Sequence, residues 1–169
     1  MLKKIFMATV AVLIIVASEN CFAELALVRL TVGGITIGTE IDWVKNTYGE
    51  PTKIYETVLD GSRDACHEYN NGNAANLRLI YNRSRIVQII CSGKNDFRTF
   101  DGVKIGDPIS VITAVYGTPD ETGTPPVKVR RNARADNYIL YNSTSKPYKL
   151  MFLTKRRKIV AIMSGIIDR

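Results

Sequence analysis

The chain repeats its own pattern, and this internal similarity is the feature that most constrains its fold. Residues 34–51 recur as residues 102–119, at a constant offset of 68. Seven of the eighteen positions are identical, namely Gly34, Ile37, Gly38, Ile41, Tyr48, Gly49 and Pro51 of the first copy. Such a repeat predicts a chain built from two similar structural units.

A second block supports the same division at a slightly larger offset of 73, so the second copy holds five extra residues between its blocks. The matched positions are Leu77, Leu79, Ile80, Arg83, Arg85, Ile86, Val87 and Ile89 with Leu150, Phe152, Leu153, Arg156, Lys158, Ile159, Val160 and Ile162. We therefore expect repeat 1 at residues 30–93 and repeat 2 at residues 98–169, together forming one compact unit.

The first block of each repeat predicts a short amphipathic helix. Apolar residues recur three and seven positions after Ile41 and Ile109, which places them on one helix face. Thr39 and Asp107 are residue types that cap helix N-termini, and Pro108 is expected at the first helical position of the second copy. A glycine and a proline then follow in each copy and end the helix.

After each helix the chain changes to short strand-like runs. Asp60-Gly61 and Asn71-Gly72 favour tight hairpin turns, because both central positions of those turns need a positive φ. The expected strands are 53–59, 64–69, 77–81 and 86–91 in repeat 1, and 127–131, 138–141, 149–153 and 159–163 in repeat 2, with a loop at 122–126. The expected fold class is α+β, in which each repeat packs one short helix on an antiparallel β-meander.

The first 23 residues have the organisation of an export signal. Lys3 and Lys4 precede an apolar run from Ile5 to Ala17, and small residues lead to a cleavage site after Ala23. Thirteen residues are too few to cross the hydrocarbon core of a bilayer as a helix. We expect residues 1–23 to be a signal peptide, the mature protein to be periplasmic or secreted, and its chain to contain no transmembrane span.

Removal of the signal changes the charge and the cysteine count. Two lysines and one glutamate are lost, which leaves 21 basic and 15 acidic residues and a net charge of +6. Cys21 is also lost, so the mature chain keeps Cys66 and Cys91. Two cysteines in an oxidising compartment favour a disulfide, whereas their apolar surroundings are equally typical of two separately buried thiols. The sequence leaves both interpretations open.

The order of an Ile-Gly dipeptide, a short helix, Tyr-Gly-x-Pro and a strand meander resembles one group of proteins. It is similar to the extracytoplasmic modules grouped around the β-lactamase inhibitor protein and the small outer-membrane assembly lipoproteins. The matching segments are 37–38 with 48–51, and 105–106 with 116–119. The resemblance implies helices against an antiparallel sheet in a small, exported, mostly non-enzymatic protein that acts by protein contact. The chain departs from the lipoproteins at Cys21, because Asn20 stands where acylation requires a small residue.

Chemistry-bearing residues are sparse and do not converge in a catalytic pattern. His67 is the one histidine, and its neighbour Cys66 points to the opposite face of a predicted strand. A metal site needs three or four converging ligands, and no nucleophile-elbow or phosphate-loop motif is present. We therefore expect a protein that is not an enzyme and that uses no metal or cofactor. An envelope enzyme with a site of carboxylates and lysines between the repeats stays open as an alternative.

Positive charge concentrates in two matched hairpin turns, at 83–85 and 155–158, and a further basic stretch holds Lys128, Arg130, Arg131 and Arg134. Hairpin charge often only solvates a turn and protects strand edges, but it also suits an anionic partner. Trp43 lies off the apolar helix face, where the second copy has Val111. It is either a partner anchor, as interface aromatics often are, or a residue packed between the repeats.

We expect a non-catalytic, inhibitor-like binding module for a protein in the cell envelope or outside the cell. The alternative is a surface-binding protein for anionic lipid or wall glycan. Nucleic acid is not an expected partner, because an exported protein seldom meets it. The candidate partner-binding residues are Trp43, Arg83, Arg85, Tyr138, Tyr141, Lys155, Arg156, Arg157 and Lys158.

Overall fold

In the part of the chain that the structure describes, eight strands form a single antiparallel sheet, which carries the α-helices Ile41–Tyr48 and Ile109–Tyr116. The computed structural model describes residues 25–71, 75–93, 95–126, 129, 133–145 and 147–167. The expected signal segment 1–23 and the basic residues Lys128, Arg130 and Arg131 lie outside this part of the chain. The expected combination of helices and an antiparallel sheet is confirmed.

The elements follow one another in two similar series. A 3₁₀ turn at Leu27–Leu30 comes first, and the two helices are α1 at Ile41–Tyr48 and α2 at Ile109–Tyr116. After α1 come β1 at Lys53–Leu59, β2 at Ser62–Asn71, β3 at Ala75–Asn82 and β4 at Arg85–Gly93. After α2 come β5 at Glu121–Gly123, β6 at Asn137–Asn142, β7 at Tyr148–Lys155 and β8 at Lys158–Ile166.

The sheet has the order β1-β2-β3-β4-β8-β7-β6-β5, so the last strand of each series meets the other at the centre. Ile90 on β4 lies opposite Met163 on β8, with Cys91 opposite Ile162 beside them. This antiparallel pairing joins the two four-stranded meanders into one continuous sheet. Strands β1 and β5 are left at its two edges.

The main core lies between the sheet and the two helices. Val44 of α1 and Ile112 of α2 are fully buried, and Phe152 on β7 is the largest side chain fully buried in the described chain. Gly49 and Gly117 end the two helices with φ of 86° and 76°, a region that glycine adopts without steric strain. The sequence pattern therefore predicted the helix ends and the burial of Val44 and Ile112, but Tyr48, the last residue of the predicted face, is exposed.

The start of each helix is held by a hairpin turn, and the predicted side-chain caps are wrong. The N-cap residues are Glu40 and Pro108, and neither side chain caps the helix. The N–H of Ile41 instead donates to the carbonyl oxygen of Ser84 at 2.9 Å, and the N–H of Ile109 donates to that of Arg157 at 3.1 Å. Because the helix N-terminus is satisfied by a distant turn, a local cap is not required.

The second face of the sheet carries a smaller core. Ile90, Met151, Leu153 and Met163 are buried there, packed against Val129 and other residues outside the sheet. The predicted first strand of repeat 2, 127–131, falls mainly outside the described residues. The strand at that edge is β5, whose last two residues belong to the segment 122–126 that we expected to be a loop. The pairing ends at Gly123, shortly before two prolines that have no N–H to donate.

Candidate functional site

Trp43, Tyr48 and Phe97 form a row of aromatic rings in edge contact, and the exposed Phe100 lines the same cleft as Phe97. Trp43 is 47% exposed and Phe100 is 59% exposed. The ring of Tyr48 meets the rings of Trp43 and Phe97 edge-on, with both pairs of centroids 6.4 Å apart. Trp43 therefore does not pack between the two halves of the chain. We call these four residues the aromatic ridge.

A shallow cleft of about 450 Å³ adjoins the aromatic ridge. Phe97 and Phe100 line it together with the backbone of Gly33 and Gly34, and the exposed side chains of Asp96 and Arg98 lie at its rim. Gly33 has a φ of +61°, and a Cβ atom at this position would lie 2.7 Å from Cδ1 of Phe97. Glycine at this position is therefore needed for Phe97 to pack so close to the backbone.

The cleft and the aromatic ridge stand on an ordered support. The N–H of Gly33 donates to the carbonyl oxygen of Arg98 at 2.8 Å, and the N–H of Phe100 donates to that of Thr31 at 3.0 Å. The hydroxyl of Tyr48 donates to the carbonyl oxygen of Gly33. These bonds tie α1 and the segment around Phe97 to the same loop, so Tyr48 and the backbone that carries Phe97 and Phe100 are held in place.

Sequence reasoning missed Phe97 and Phe100, which complete the aromatic ridge. Phe97 falls in the gap between the two predicted repeats, and Phe100 lies just inside repeat 2 without an apolar periodicity around it. The available signal was two phenylalanines within four residues of a polar segment, 94–101. Large apolar side chains in such a setting are candidates for contact with a partner.

The two basic turns lie at opposite ends of the sheet. Because β4 and β8 run antiparallel with Ile90 opposite Met163, the turn that precedes β4 and the turn that precedes β8 are about 12 residues apart along the strands, or roughly 40 Å at about 3.3 Å per residue. Arg83, Arg156 and Arg157 are exposed in these turns, and Lys155 is half-buried. The structure therefore does not bring the two turns together as one positive patch.

The residues at these turns have different surroundings. Arg85 pairs with Glu40 at 2.8 Å and also donates to the carbonyl oxygen of Gly38 at 3.0 Å. Arg85 thus ties its turn to the start of α1. Lys158 is exposed, and its backbone forms the matching bridge to Pro108.

The structure separates the two candidate tyrosines. Tyr138 is half-buried, and its hydroxyl donates to a carboxylate oxygen of Glu121 near the β5 edge. Tyr141 is only 4% exposed. Its hydroxyl donates to the carbonyl oxygen of Gly117 at 3.0 Å, and its ring packs against Phe152. Tyr141 is therefore a core residue, and its expected role as a partner anchor does not fit this position.

The disulfide interpretation is wrong for this structure, because Cys66 and Cys91 are both free and buried. Strand β3 separates them, and Cys66 lies opposite Ile80 whereas Cys91 lies opposite Leu77, so their backbones are about 14 Å apart at the usual strand dimensions. They also lie on opposite faces of the sheet, and a disulfide requires Cα atoms within about 7 Å. Burial raises the pKa of Cys91 to about 12 and also raises that of Cys66, so neither is a reactive thiolate at neutral pH.

His67 lies beneath α1, on the sheet face opposite to that of Cys66. It is 2% exposed, and its Nε2 atom is 2.7 Å from the hydroxyl oxygen of Tyr81. Burial, followed by the nearby positive charge of Lys45, lowers its pKa. Within the described residues, no three His, Cys, Asp or Glu side chains are grouped so that they could hold a metal ion. His67 is thus placed as a neutral core residue.

A narrow groove of about 110 Å³ crosses the second face of the sheet. Leu59, Ile80 and Ile90 are among its apolar lining, and among the described residues the half-buried Arg78 is the one charged side chain that lines it. Burial raises the pKa of the Tyr55 hydroxyl, which also lines the groove, to about 12. The groove runs beside strand β1, at the edge of the sheet.

The junction of β4 and β8, where the enzyme alternative would need its site, is mostly apolar. Ile89 and Ile162 are fully buried on the helix side, and Ile90 and Met163 are buried on the other side. Carboxylates and lysines do not meet at the described positions of this junction. No helix in the described chain is long and apolar enough to span a bilayer.

No family model matches the sequence, and no curated protein matches it. Among solved structures, the chain is similar to a cysteine-rich secretory protein from Staphylococcus aureus, with a TM-score of 0.54 and 12% identity over 76% of this chain and 44% of that one. It is also similar to an extracellular protein containing an SCP domain from Bacillus anthracis, with a TM-score of 0.53 and 10% identity over 76% and 43%. The chain thus spans less than half the length of these two proteins, and the likeness is one of fold.

A third similar structure is a candidate β-lactamase inhibitor protein from Streptococcus mutans. Its TM-score is 0.32, with 14% identity over 78% of this chain and 85% of that one. This is a weak link in fold to the group that the sequence resembles, and it carries no functional argument.

Proposed function

We propose that this chain is a non-catalytic, extracytoplasmic binding module that recognises a protein partner through the aromatic ridge. The observation that carries the proposal is the exposure of Trp43 and Phe100, at 47% and 59%, beside a cleft with a hydrogen-bonded support. Exposed aromatic groups clustered on a rigid base are typical of residues that dominate binding energy at protein interfaces. A rim of polar groups such as Asp96 and Arg98 is the usual surrounding of such a cluster.

We propose that the basic turn at 155–158 increases the rate of association with an acidic partner. Arg156 and Arg157 have φ of 50° and 62°, a conformation that is unfavourable for side chains other than glycine and asparagine. Arginine is present at both positions in spite of this strain. Arg83 and Ser84 adopt the same conformation, which tight two-residue hairpins require; what supports the steering role is the run of four basic residues at 155–158, three of which are exposed.

We propose that the protein is exported, with residues 1–23 as its signal and no membrane span in the mature chain. The basic start and short apolar run of the N-terminal segment support this, as do the names of two neighbours of similar fold, one secretory and one extracellular. The compartment is then the periplasm or the exterior of the cell.

We propose that the chain consists of two tandem repeats. Matching contacts support this view: the N–H of Gly38 donates to the carbonyl oxygen of Ile86 at 2.7 Å, and that of Gly106 donates to that of Ile159 at 2.9 Å. Gly38 corresponds to Gly106 at the sequence offset of 68, and Ile86 corresponds to Ile159 at the offset of 73. Ile90 and Met163, which also correspond at offset 73, pair with each other at the centre of the sheet.

The test is affinity capture from an envelope extract, followed by identification and measurement of binding with the purified partner. We expect one defined protein to be retained by the native chain and lost with a Trp43→Ala, Phe100→Ala double variant. Serine at positions 155–158 should slow association and reduce its dependence on salt, without changing dissociation. Serine at Arg83, which is exposed in the turn roughly 40 Å away along the strands, is the control.

Several outcomes would contradict this proposal. Binding to liposomes of anionic lipid or to wall glycan, with no protein retained, would favour the surface-binding alternative. An unchanged affinity of the Trp43→Ala, Phe100→Ala variant would remove the aromatic ridge from the contact surface. Equal salt dependence of the native chain and the 155–158 variant would remove the steering role of that turn.

A further inference from the structure

Strand β1 is a seven-residue edge of the sheet, and it pairs with β2 but with no other described strand. Every second peptide group of an edge strand directs its N–H and C=O away from the sheet. The opposite edge, β5, has only three residues and is followed by two prolines. The β1 edge therefore offers the longer row of backbone groups to an added strand.

The exposed side chains of β1 suit this edge to pairing with a strand that carries apolar residues. Ile54 and Val58 are 57% and 53% exposed, and Glu56 is exposed between them on the same face. On the other face, Tyr55 and Thr57 are half-buried at the wall of the groove. A strand added to β1 would thus place one set of its side chains on Ile54 and Val58 and the other set beside the groove.

A second copy of this chain fits the edge poorly in the register that matches its exposed apolar side chains. Two copies related by a two-fold axis would pair their β1 strands antiparallel, and one register brings Ile54 of each copy opposite Val58 of the other. That register also places Glu56 directly opposite Glu56. Like charges facing each other across strands are destabilising, so the edge favours a strand of different sequence.

We propose that the β1 edge is a second binding site, separate from the aromatic ridge, for an extended segment of a partner protein. The segment adds to the sheet as an antiparallel strand and carries apolar residues opposite Ile54 and Val58. It carries a lysine or arginine opposite Glu56, because that carboxylate lies between the two apolar positions. Main-chain hydrogen bonds supply the affinity, and the apolar–basic–apolar alternation supplies the specificity.

The test uses a fluorescein-labelled synthetic peptide with the sequence Thr-Ile-Thr-Lys-Thr-Val-Thr, whose binding to the protein is followed by fluorescence anisotropy. We expect Glu56→Lys to weaken binding at least tenfold, and a peptide with Glu in place of its Lys to bind this variant better than it binds the native protein. Asp136→Lys makes the same charge change at an exposed position beside β6 and should leave binding unchanged. The Trp43→Ala, Phe100→Ala variant should also bind the peptide normally.

A second measurement tests strand addition itself. Two peptides are N-methylated on alternate residues, one at the odd and the other at the even positions. Because only every second N–H of an added strand faces β1, one peptide should lose binding and the other should keep it. Equal binding of both would overturn the proposal, as would unchanged binding to Glu56→Lys. A dimer of the protein alone that is abolished by Val58→Lys would also overturn it, because a second copy would then be the occupant.

Discussion

The Nε2 atom of His67 lies 2.7 Å from the hydroxyl oxygen of Tyr81 in a site beneath α1 where the imidazole is 2% exposed. The other ring nitrogen, Nδ1, has no hydrogen-bond partner among the described residues. A charged imidazole would thus be buried with its Nδ1–H unsatisfied, which is unfavourable. Burial of the imidazole therefore makes the stability of the fold dependent on pH.

We predict that the free energy of unfolding falls as the pH is lowered below about 6.5. The pKa of His67 is lowered in the folded state by burial, so the unfolded chain takes up its proton first. The stabilisation is complete above the unfolded pKa of 6.5 and is lost as the pH falls towards the folded value, by up to about 1.4 kcal/mol per pH unit. Urea unfolding at pH 7.5 and 5.5 measures this change in the free energy of unfolding.

The control for this prediction is His67→Gln, which keeps a polar partner for Tyr81 but does not titrate. The difference between the free energies of unfolding at pH 7.5 and pH 5.5 should be smaller in this variant, because residue 67 no longer takes up a proton. A native protein and a His67→Gln variant with the same pH dependence would show that the histidine is not responsible.

Gly165→Ala should be among the most destabilising single changes in the chain. Gly165 has a φ of +115°, and a Cβ atom there would lie 2.2 Å from the carbonyl oxygen of Val87 at the junction of β4 and β8. The backbone of β4 must move to admit it, so we expect a loss of more than about 3 kcal/mol. Gly106→Ala is the matched control, since its φ is +95° and its Cβ would enter open space. It should cost only about 1–2 kcal/mol. Equal losses of stability in Gly165→Ala and Gly106→Ala would show that the close approach to Val87 is not the cause.

Arg157→Gly should raise the free energy of unfolding by about 1 kcal/mol. Arg157 has a φ of +62°, which glycine adopts without the steric cost that other residues incur. The backbone bond from Ile109 to the carbonyl oxygen of Arg157 is retained. Arg157→Ala removes the same charge but keeps the strain, so thermal or urea unfolding should show no such gain. If both variants are equally stabilised, charge repulsion rather than backbone strain is relieved.

Tyr141→Phe should lower stability by about 1 kcal/mol and leave partner binding unchanged. The change removes one hydrogen bond, from the hydroxyl to the carbonyl oxygen of Gly117, and the net value of such a bond is about 0.5–1.5 kcal/mol. The side chain is 4% exposed, so it cannot touch a partner. Urea unfolding and binding to the captured protein measure the two effects. A loss of affinity at unchanged stability would return Tyr141 to the contact surface.

Local sequence was sufficient for the elements whose physics is local. The apolar face that contains Val44 follows from helical spacing, and Gly49 ends α1 because it tolerates a positive φ. The bounds of β1 agree with the expected strand, 53–59, because a turn dipeptide follows it. Periodicity and turn chemistry need no distant partner, and they determined the helices, most strands and the antiparallel class.

The tertiary structure decided what depends on which segments meet. Asp107 was expected to cap α2, but its carboxylate accepts the N–H of Lys104 at 2.9 Å, while a turn about fifty residues away satisfies the N–H of Ile109. The pairing of β4 with β8 places the two basic turns at opposite ends of the sheet, which their similar sequences could not reveal.

The aromatic ridge and the free cysteines are further features that the tertiary structure decided. Phe97 contacts Tyr48 from a position directly against the backbone of Gly33, and it can occupy that position because Gly33 has no Cβ atom. Cys66 and Cys91 remain thiols because one intervening strand and the alternation of the sheet put them on opposite faces. The sequence determined which residues could pair, anchor or cap, and strand order and register, set by non-local packing, determined which of them do.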